Sequence, residues 1–242
     1  MRKRVKAIIE YDGGYFKGFQ KQKSTNNTIT TQIEKALSSL GIKDSIRGSG
    51  RTDAGVHATG QVIDFTIPPF WKDLLKLKYE LNRKLDYISF KHISYVDIDF
   101  HSRFSAKKRL YRYVFKTTPL SVFEKNHISY YPIFDKKRLK EALECFQGKH
   151  DFSYFIKTGS LTHTNIRCIY RASYINYHNY HIIYFKADGF LRSQVRMMVE
   201  GAMRVALSIW SIDELKEQLL LKEKTMTNLA PSQGLYLAKI LY

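Results

Sequence analysis

The sequence predicts an α+β protein: two ferredoxin-like βαββαβ halves with a central antiparallel or mixed sheet and a basic active-site cleft between them. Three observations lead there. Stretches with the two-residue period of strands and the 3.6-residue period of helices follow one another as strand, helix, strand, strand, helix, strand. The same order returns in the second half without the residues repeating. A chain of 242 residues can bury one large core or two small ones. The halves are expected at residues 1–100 and 101–242.

Taken in order, Val5, Ala7, Ile9 and Tyr11 alternate with Lys6 and Glu10, which reads as a strand. Asp12-Gly13-Gly14 turns the chain. Ile33, Ala36, Leu37 and Leu40 keep helical spacing, and Gly41 ends that helix. A strand before Gly48 and another over Gln61 to Thr66 follow, the latter stopped by Pro68-Pro69. Leu74, Leu77, Leu81 and Leu85 predict a second helix, and Ile88 to Val96 a strand. In the second half Arg109 to Lys116 alternates as a strand, and Leu139, Ala142, Leu143 and Phe146 predict a helix between Asp135 and Gly148. Tyr170 to Asn176 and Tyr180 to Ala187 read as a hairpin around His178-Asn179. A helix from about Ser193 to Leu207, a capped one at Ser211-Ile-Asp-Glu214, and a strand from Leu235 to Tyr242 complete the set.

Composition narrows the class. A hydrophobic share of 44% with 26% charged residues is that of a soluble globular protein. No apolar run reaches the roughly 18 residues a membrane span needs. The opening Met-Arg-Lys-Arg-Val lacks a signal core. Cys145 and Cys168 are too few and too far apart for a zinc or redox motif, so a reducing cytoplasm is expected. The net charge of +18 steers toward polyanions, nucleic acid above all, although a lysine-rich composition raises the pI of many unrelated proteins. From Ser102 to Lys116 six basic residues and no acidic one are interleaved with Phe104, Tyr111, Tyr113 and Phe115. Cations for phosphates with aromatics for stacking is the combination RNA contact requires.

The segment Gly48-Ser-Gly-Arg51-Thr-Asp53-Ala-Gly55-Val-His57-Ala-Thr-Gly60 carries the chemistry. Its glycines allow close backbone approach or positive φ on a loop feeding a buried strand. Arg51 is near enough along the chain to share a site with Asp53 and to favour its ionised, nucleophilic form. The lysine of a P-loop is missing, and His57 with Asp64 lacks a third metal ligand. The plain alternative is a glycine-rich turn whose Asp caps a helix or pairs locally.

GRTDAGVHATGQV closely resembles the signature of the tRNA pseudouridine synthase A (TruA) family. The resemblance runs along nearly the whole chain, through Ile9-Glu-Tyr-Asp-Gly13 with Gly18-Phe-Gln20, Phe100-His-Ser-Arg-Phe-Ser-Ala106, Arg109-Leu-Tyr-Arg-Tyr113, Gly189-Phe-Leu191 with Val195-Arg196, and Ala230-Pro-Ser-Gln-Gly-Leu235. It implies isomerisation of uridine to pseudouridine at tRNA positions 38, 39 and 40, without cofactor or metal, by a homodimer. Asp53 then matches the family's attacking aspartate, with attack at ribose or at base ring left open. Tyr111 matches a tyrosine that stacks on the target base, Arg196 an arginine that pairs with the aspartate, Arg51 one that helps extrude the base, and Leu235 an apolar lining of the uracil pocket. Each also has a plain reading: a half-buried strand aromatic for Tyr111, ordinary strand core for Leu235, and for Arg196 a surface position pairing with Glu200 and Arg204 at helical spacing. Departures from the family pattern are Phe19 for tryptophan, Thr30-Thr31 at the first helix start, and Arg192-Ser193-Gln194. A non-catalytic RNA-binding module, the rival from another class, has no need for Asp53, Arg51, Tyr111 and Arg196 together.

Overall fold

The computed structural model describes residues 3–159 and 162–242. Met1 and Arg2, part of the basic opening stretch, lie outside the described residues. Two compact units make up the chain: Met1–Lys107 with Leu237–Tyr242, and Lys108–Tyr236. The division expected at residue 100 thus shifts in two ways. The linker after Phe100 stays with the first unit, where the Ser102 N–H donates to the Asp64 carboxylate at 2.8 Å and the Lys107 N–H to the Leu241 carbonyl at 2.8 Å. The last residues also belong to the first unit. No helix among the described residues is long and apolar enough to cross a membrane.

The first unit has the ferredoxin-like order β1 (Lys3–Tyr11), α1 (Ile29–Ser39), β2 (Arg47–Gly48), β3 (His57–Ile67), α2 (Leu74–Asn82) and β4 (Ile88–Tyr95). Its sheet runs β4-β1-β3, with β2 on β3 and the later residues of β10 (Leu235–Leu241) beside β3. All the registered pairs of this unit are antiparallel, Lys3 facing Ile67 and Val5 facing Tyr95. Val5, Ala7, Ile9 and Tyr11 point into the core as the alternation predicts. Thr28 caps α1 by accepting from the Thr31 N–H, and Asp73 caps α2 by accepting from Leu75 and Lys76, so donors left bare at both helix starts are satisfied. Two boundaries differ from expectation. Leu85 falls beyond α2, because the Asn82 side chain turns away to bond the Phe90 backbone at 2.7 Å and 3.2 Å. β3 begins at His57, earlier than Gln61, and is buried on both faces for most of its length, which erases the alternation that would mark its start.

The second unit holds β5 (Lys108–Lys116), β6 (Ser129–Tyr130), α3 (Lys136–Cys145), β7 (Gly148–Asp151), β8 (Ile166–Tyr177), β9 (Tyr180–Ala187), α4 (Gln194–Ala206) and α5 (Ile212–Leu219). Its sheet order is β5-β9-β8-β7, antiparallel throughout, with β6 added parallel to β5. The hairpin turns at His178-Asn179 as expected, and Ser211 with Glu214 forms the complete capping box. Tyr113, Phe115, Phe146, Phe152, Phe155 and Phe185 are fully buried and form an aromatic core. Tyr113 and Phe115 are therefore packing residues, which corrects the reading of Ser102 to Lys116 as a stacking surface. On a strand with one face inward, alternate aromatics go inside. Phe104, 74% exposed, is the aromatic of that run left on the surface.

Candidate active site

The loop between β2 and β3 is fixed from its backbone outward. Asp53 opens a tight turn in which its carbonyl accepts from the Val56 N–H at 3.2 Å. Gly55, two residues on, has φ of 78°, the conformation that keeps side chains out of this position. The turn lies against the one that follows β1. The Gly55 N–H donates to the Gly13 carbonyl at 3.2 Å, and a Cβ on Gly13 would lie 2.0 Å from the Val56 carbonyl oxygen, so only glycine permits the approach.

Side chains tie the same two turns. Thr52 is buried; its hydroxyl is 2.9 Å from that of Tyr11, and its carbonyl accepts from the Phe19 N–H at 3.0 Å. The Gly13 N–H and the Asp12 carboxylate both sit 3.1 Å from Nδ1 of buried His57. On the other flank Gln61, buried on β3, accepts from the Ser49 hydroxyl at 2.6 Å and donates to the Gly50 carbonyl at 2.8 Å. Asp53 is thus half-exposed on a loop whose neighbours on both sides are anchored. None of these anchors was visible in the sequence, since the paired residues lie far apart along it.

Arg51 is exposed and makes no hydrogen bond or ion pair among the described residues. The plain alternative of a local Arg51–Asp53 pair is not formed; the intervening buried Thr52 is anchored inward while Arg51 faces solvent. His57 and Asp64 do not share a site either. Asp64 is fully buried among Arg4, Arg47 and the Ser102 N–H, while His57 meets Asp12. No group of three or more His, Cys, Asp or Glu side chains among the described residues is placed to hold a metal ion.

In the second unit, Tyr111 lies on β5 opposite Phe185, 7% exposed, with its ring edge-on to Phe190 at 5.2 Å. Arg196 is half-buried on α4, its Nε donating to the Ala230 carbonyl at 2.6 Å while the Ala230 N–H returns to the Arg196 carbonyl at 3.2 Å. Glu200 pairs with Arg204 at 3.1 Å, so part of the helical-spacing reading holds, but Arg196 is not a solvated surface residue. Leu235 is buried at the start of β10. The segment before it is held by Tyr113, whose hydroxyl is 2.8 Å from the Ser129 hydroxyl and 3.1 Å from the Pro231 carbonyl. Burial pushes the Tyr113 phenol well above its ordinary pKa, which keeps it a neutral donor.

Nearly the whole chain is matched in known proteins. The sequence model of the family described as tRNA pseudouridine synthase covers residues 7–105 and 142–242. The tRNA pseudouridine synthase A of Wolinella succinogenes is 37% identical over 235 residues, 97% of this chain and 92% of the relative. That of Helicobacter hepaticus is 39% identical over 244 residues, 98% of each chain, and that of Campylobacter jejuni 37% identical over 240 residues, 99% of this chain and all of the relative. The chain belongs to the tRNA pseudouridine synthase family. Membership makes it a pseudouridine synthase, an isomerase. Four of the residues that depart from the expected family pattern, Phe19, Thr30, Thr31 and Gln194, serve local packing or hydrogen bonding. Phe19 is buried with its ring beneath Gly48. Thr30 is buried and donates to the Phe19 carbonyl at 2.7 Å, and Thr31 bonds the capping Thr28, so both serve the helix start. Gln194 is buried and accepts from the Leu191 N–H at 2.7 Å at the start of α4.

Proposed function

We propose that this chain isomerises uridine to pseudouridine in the anticodon arm of tRNA, at positions 38, 39 and 40, with Asp53 as the nucleophile. The observation that carries this reading is the placement of Asp53: half-exposed at the start of a turn anchored on both flanks, within a family match that spans nearly the whole chain. In the reaction Asp53 attacks the nucleotide and the bond from C1′ of the ribose to N1 of the base breaks. The uracil is repositioned, a bond from C1′ to C5 forms, N1 gains a proton and C5 loses one. Nothing is oxidised or hydrolysed, so no metal or cofactor is called for.

The other assignments rest on the family resemblance. Tyr111 stacks on the target base, Arg196 pairs with the nucleophile, and Leu235 lines the uracil. Arg51, exposed and uncommitted to any partner within the described residues, takes over contacts when the base is extruded, a step that costs a few kcal/mol of lost stacking and pairing. The net charge of +18 supplies the phosphate contacts that give affinity. A cytoplasmic homodimer completes the reading.

The test is release of tritium from C5-labelled uridine in tRNA, with pseudouridine mapped in the product. Asp53→Asn keeps the shape of the side chain but cannot act as the nucleophile, so turnover should vanish while RNA affinity stays within a few-fold. An Asn variant turning over near the wild-type rate would remove Asp53 from the mechanism.

A further inference from the structure

Tyr15, on the turn after β1, and Tyr87, just before β4, form an aromatic pair that neither the core nor the candidate site uses. Tyr15 and Tyr87 stack face to face, with ring centroids 3.5 Å apart and planes 11° from parallel. They are nevertheless 47% and 53% exposed. Aromatic pairs ordinarily prefer offset or edge-on arrangements, because fully overlapped rings set like parts of their quadrupoles against each other. Tyr87 also has φ of 63°, a left-handed conformation that bulky side chains rarely adopt and that tends to persist where function requires it. The backbone holds both rings in place. The Tyr87 carbonyl accepts from the Asp12 N–H at 2.9 Å, and the Tyr15 carbonyl accepts from the Asn27 side chain at 2.8 Å. The Tyr15 phenol is raised above its usual range, first by its hydrogen bond to the Tyr87 oxygen.

Tyr15 stands on the turn that packs against the Asp53 loop through Gly13, Gly55 and Val56, and Tyr87 is tied to that turn at Asp12. Exposed Lys17, Arg83 and Lys84 flank the pair in sequence, against one exposed carboxylate, Asp86. We infer that Tyr15 and Tyr87 form a stacking platform for an unpaired nucleobase of the RNA substrate, a base other than the uridine being isomerised. The inference rests on the RNA substrate proposed above. A flat pair of uncharged rings offers an open π-face rather than a groove, and with cations nearby it fits a base attached to phosphates. Placed beside the Asp53 loop, such a platform would hold the strand near the target while that uridine is drawn out.

The experiment measures tRNA affinity for wild type, Tyr15→Phe, Tyr15→Ala and Tyr87→Gly, with thermal melts and with photo-crosslinking to tRNA carrying 5-iodouridine. Tyr15→Phe keeps the ring and should bind within about two-fold of wild type. Tyr15→Ala and Tyr87→Gly should bind about ten-fold or more weakly, as expected for loss of one stacked base. The single-turnover rate at saturating tRNA should stay within a few-fold. Tyr87→Gly is the informative variant, because glycine takes the positive φ without strain. Its melting should be unchanged while its affinity falls, which a purely structural role for the pair does not produce. Crosslinks should map to Tyr15 or Tyr87. Unchanged affinity in both Tyr15→Ala and Tyr87→Gly, with wild type forming pseudouridine in the same tRNA, overturns the platform and leaves the proposed reaction standing. A wild type that crosslinks at the pair yet forms no pseudouridine keeps the platform and overturns the reaction.

Discussion

In the first unit Asp53 sits at the start of a tight turn, and what fixes its neighbours is polar: Tyr11 on Thr52, Gly13 on Gly55, Gln61 on Ser49 and Gly50. In the second unit Tyr111 is on a strand, Arg196 on a helix and Leu235 at the start of a strand, around a core of fully buried aromatic rings. The two arrangements answer different demands. A loop residue held by single hydrogen bonds has its position decided by groups that contribute modestly to folding, so position and stability can be perturbed separately. A residue on a packed element has its position decided by the core itself, and the two are perturbed together.

The largest effect should come from the buried carboxylate that ties the first unit. Asp64 is fully buried and accepts from Arg4, from Arg47 Nε at 2.9 Å and from the Ser102 N–H at 2.8 Å, joining β1, β2, β3 and the linker after Phe100. Asp64→Ala would leave two guanidinium groups facing each other without a counter-charge, a loss of about 3–5 kcal/mol for a buried pair. The Arg47 side chain, 37% exposed, can recover some hydration, which favours the lower end. Denaturant unfolding checks it. A loss below about 1 kcal/mol would mean that apolar sheet packing alone holds this unit, and the contrast between the units would collapse.

Tyr113→Phe is the matching probe of the second unit. The ring stays in the core, but the Pro231 carbonyl and the Ser129 hydroxyl lose their hydrogen-bond partner in a buried setting, at about 1–3 kcal/mol. The segment from Ala230 to Leu235 carries the carbonyl that Arg196 holds, so turnover should fall together with stability. Single-turnover kinetics beside thermal melts measure both. Full activity with lowered stability would show that the second unit too separates the two properties.

How much of this could be read beforehand differs between the units for physical reasons. Helices α1, α3, α4 and α5 were legible because apolar spacing and caps are local signals, and the Ser211–Glu214 capping box is the sharpest of them. β6 and β7 were not, being two and four residues long with no pattern to repeat. The start of β3 was hidden because burial on both faces removes alternation. In β5 the alternation was read, but its aromatics were assigned to RNA although Tyr113 and Phe115 face the core. Asp53 stood out through its motif, whereas its anchors did not. Tyr11 and Thr52 are 41 residues apart and Gly13 and His57 44, and nothing local announces such pairs.

Thr52→Val tests the separability of position and stability directly. The side chain keeps its shape and stays buried, while the contact with the Tyr11 hydroxyl is lost. The stability cost should be about 1 kcal/mol. The single-turnover rate should fall further than that cost implies, on the order of ten-fold, because a catalytic group displaced by a fraction of an ångström loses its alignment. Binding of tRNA should be unchanged. A wild-type rate would show that the backbone bonds of the two turns suffice to place Asp53.

The smallest effect is expected at the second unit's own carboxylate tie, which is partly exposed, unlike the fully buried Asp64. Glu124 accepts from the Ser121 N–H at 2.9 Å, from Lys116 Nζ at 2.9 Å and from the Tyr180 hydroxyl at 3.1 Å, gathering the segment after β5 onto β5 and β9. Those partners, the Ser121 N–H foremost and then Lys116, lower its pKa to about 2. A carboxylate is about 4.3 in an unfolded chain. Because the folded value is the lower one, the ionised group stabilises the fold above about pH 5, and that contribution is lost as the pH falls toward 2. Water screens the site, so the effect should be slight at any pH. Glu124→Gln should melt a little below wild type at pH 7, and the difference should close as the pH is lowered from about 5 to 2. Melting curves of both proteins across that range measure it. A gap that stays constant with pH would mean that the shape of the side chain, rather than its charge, holds this segment in place.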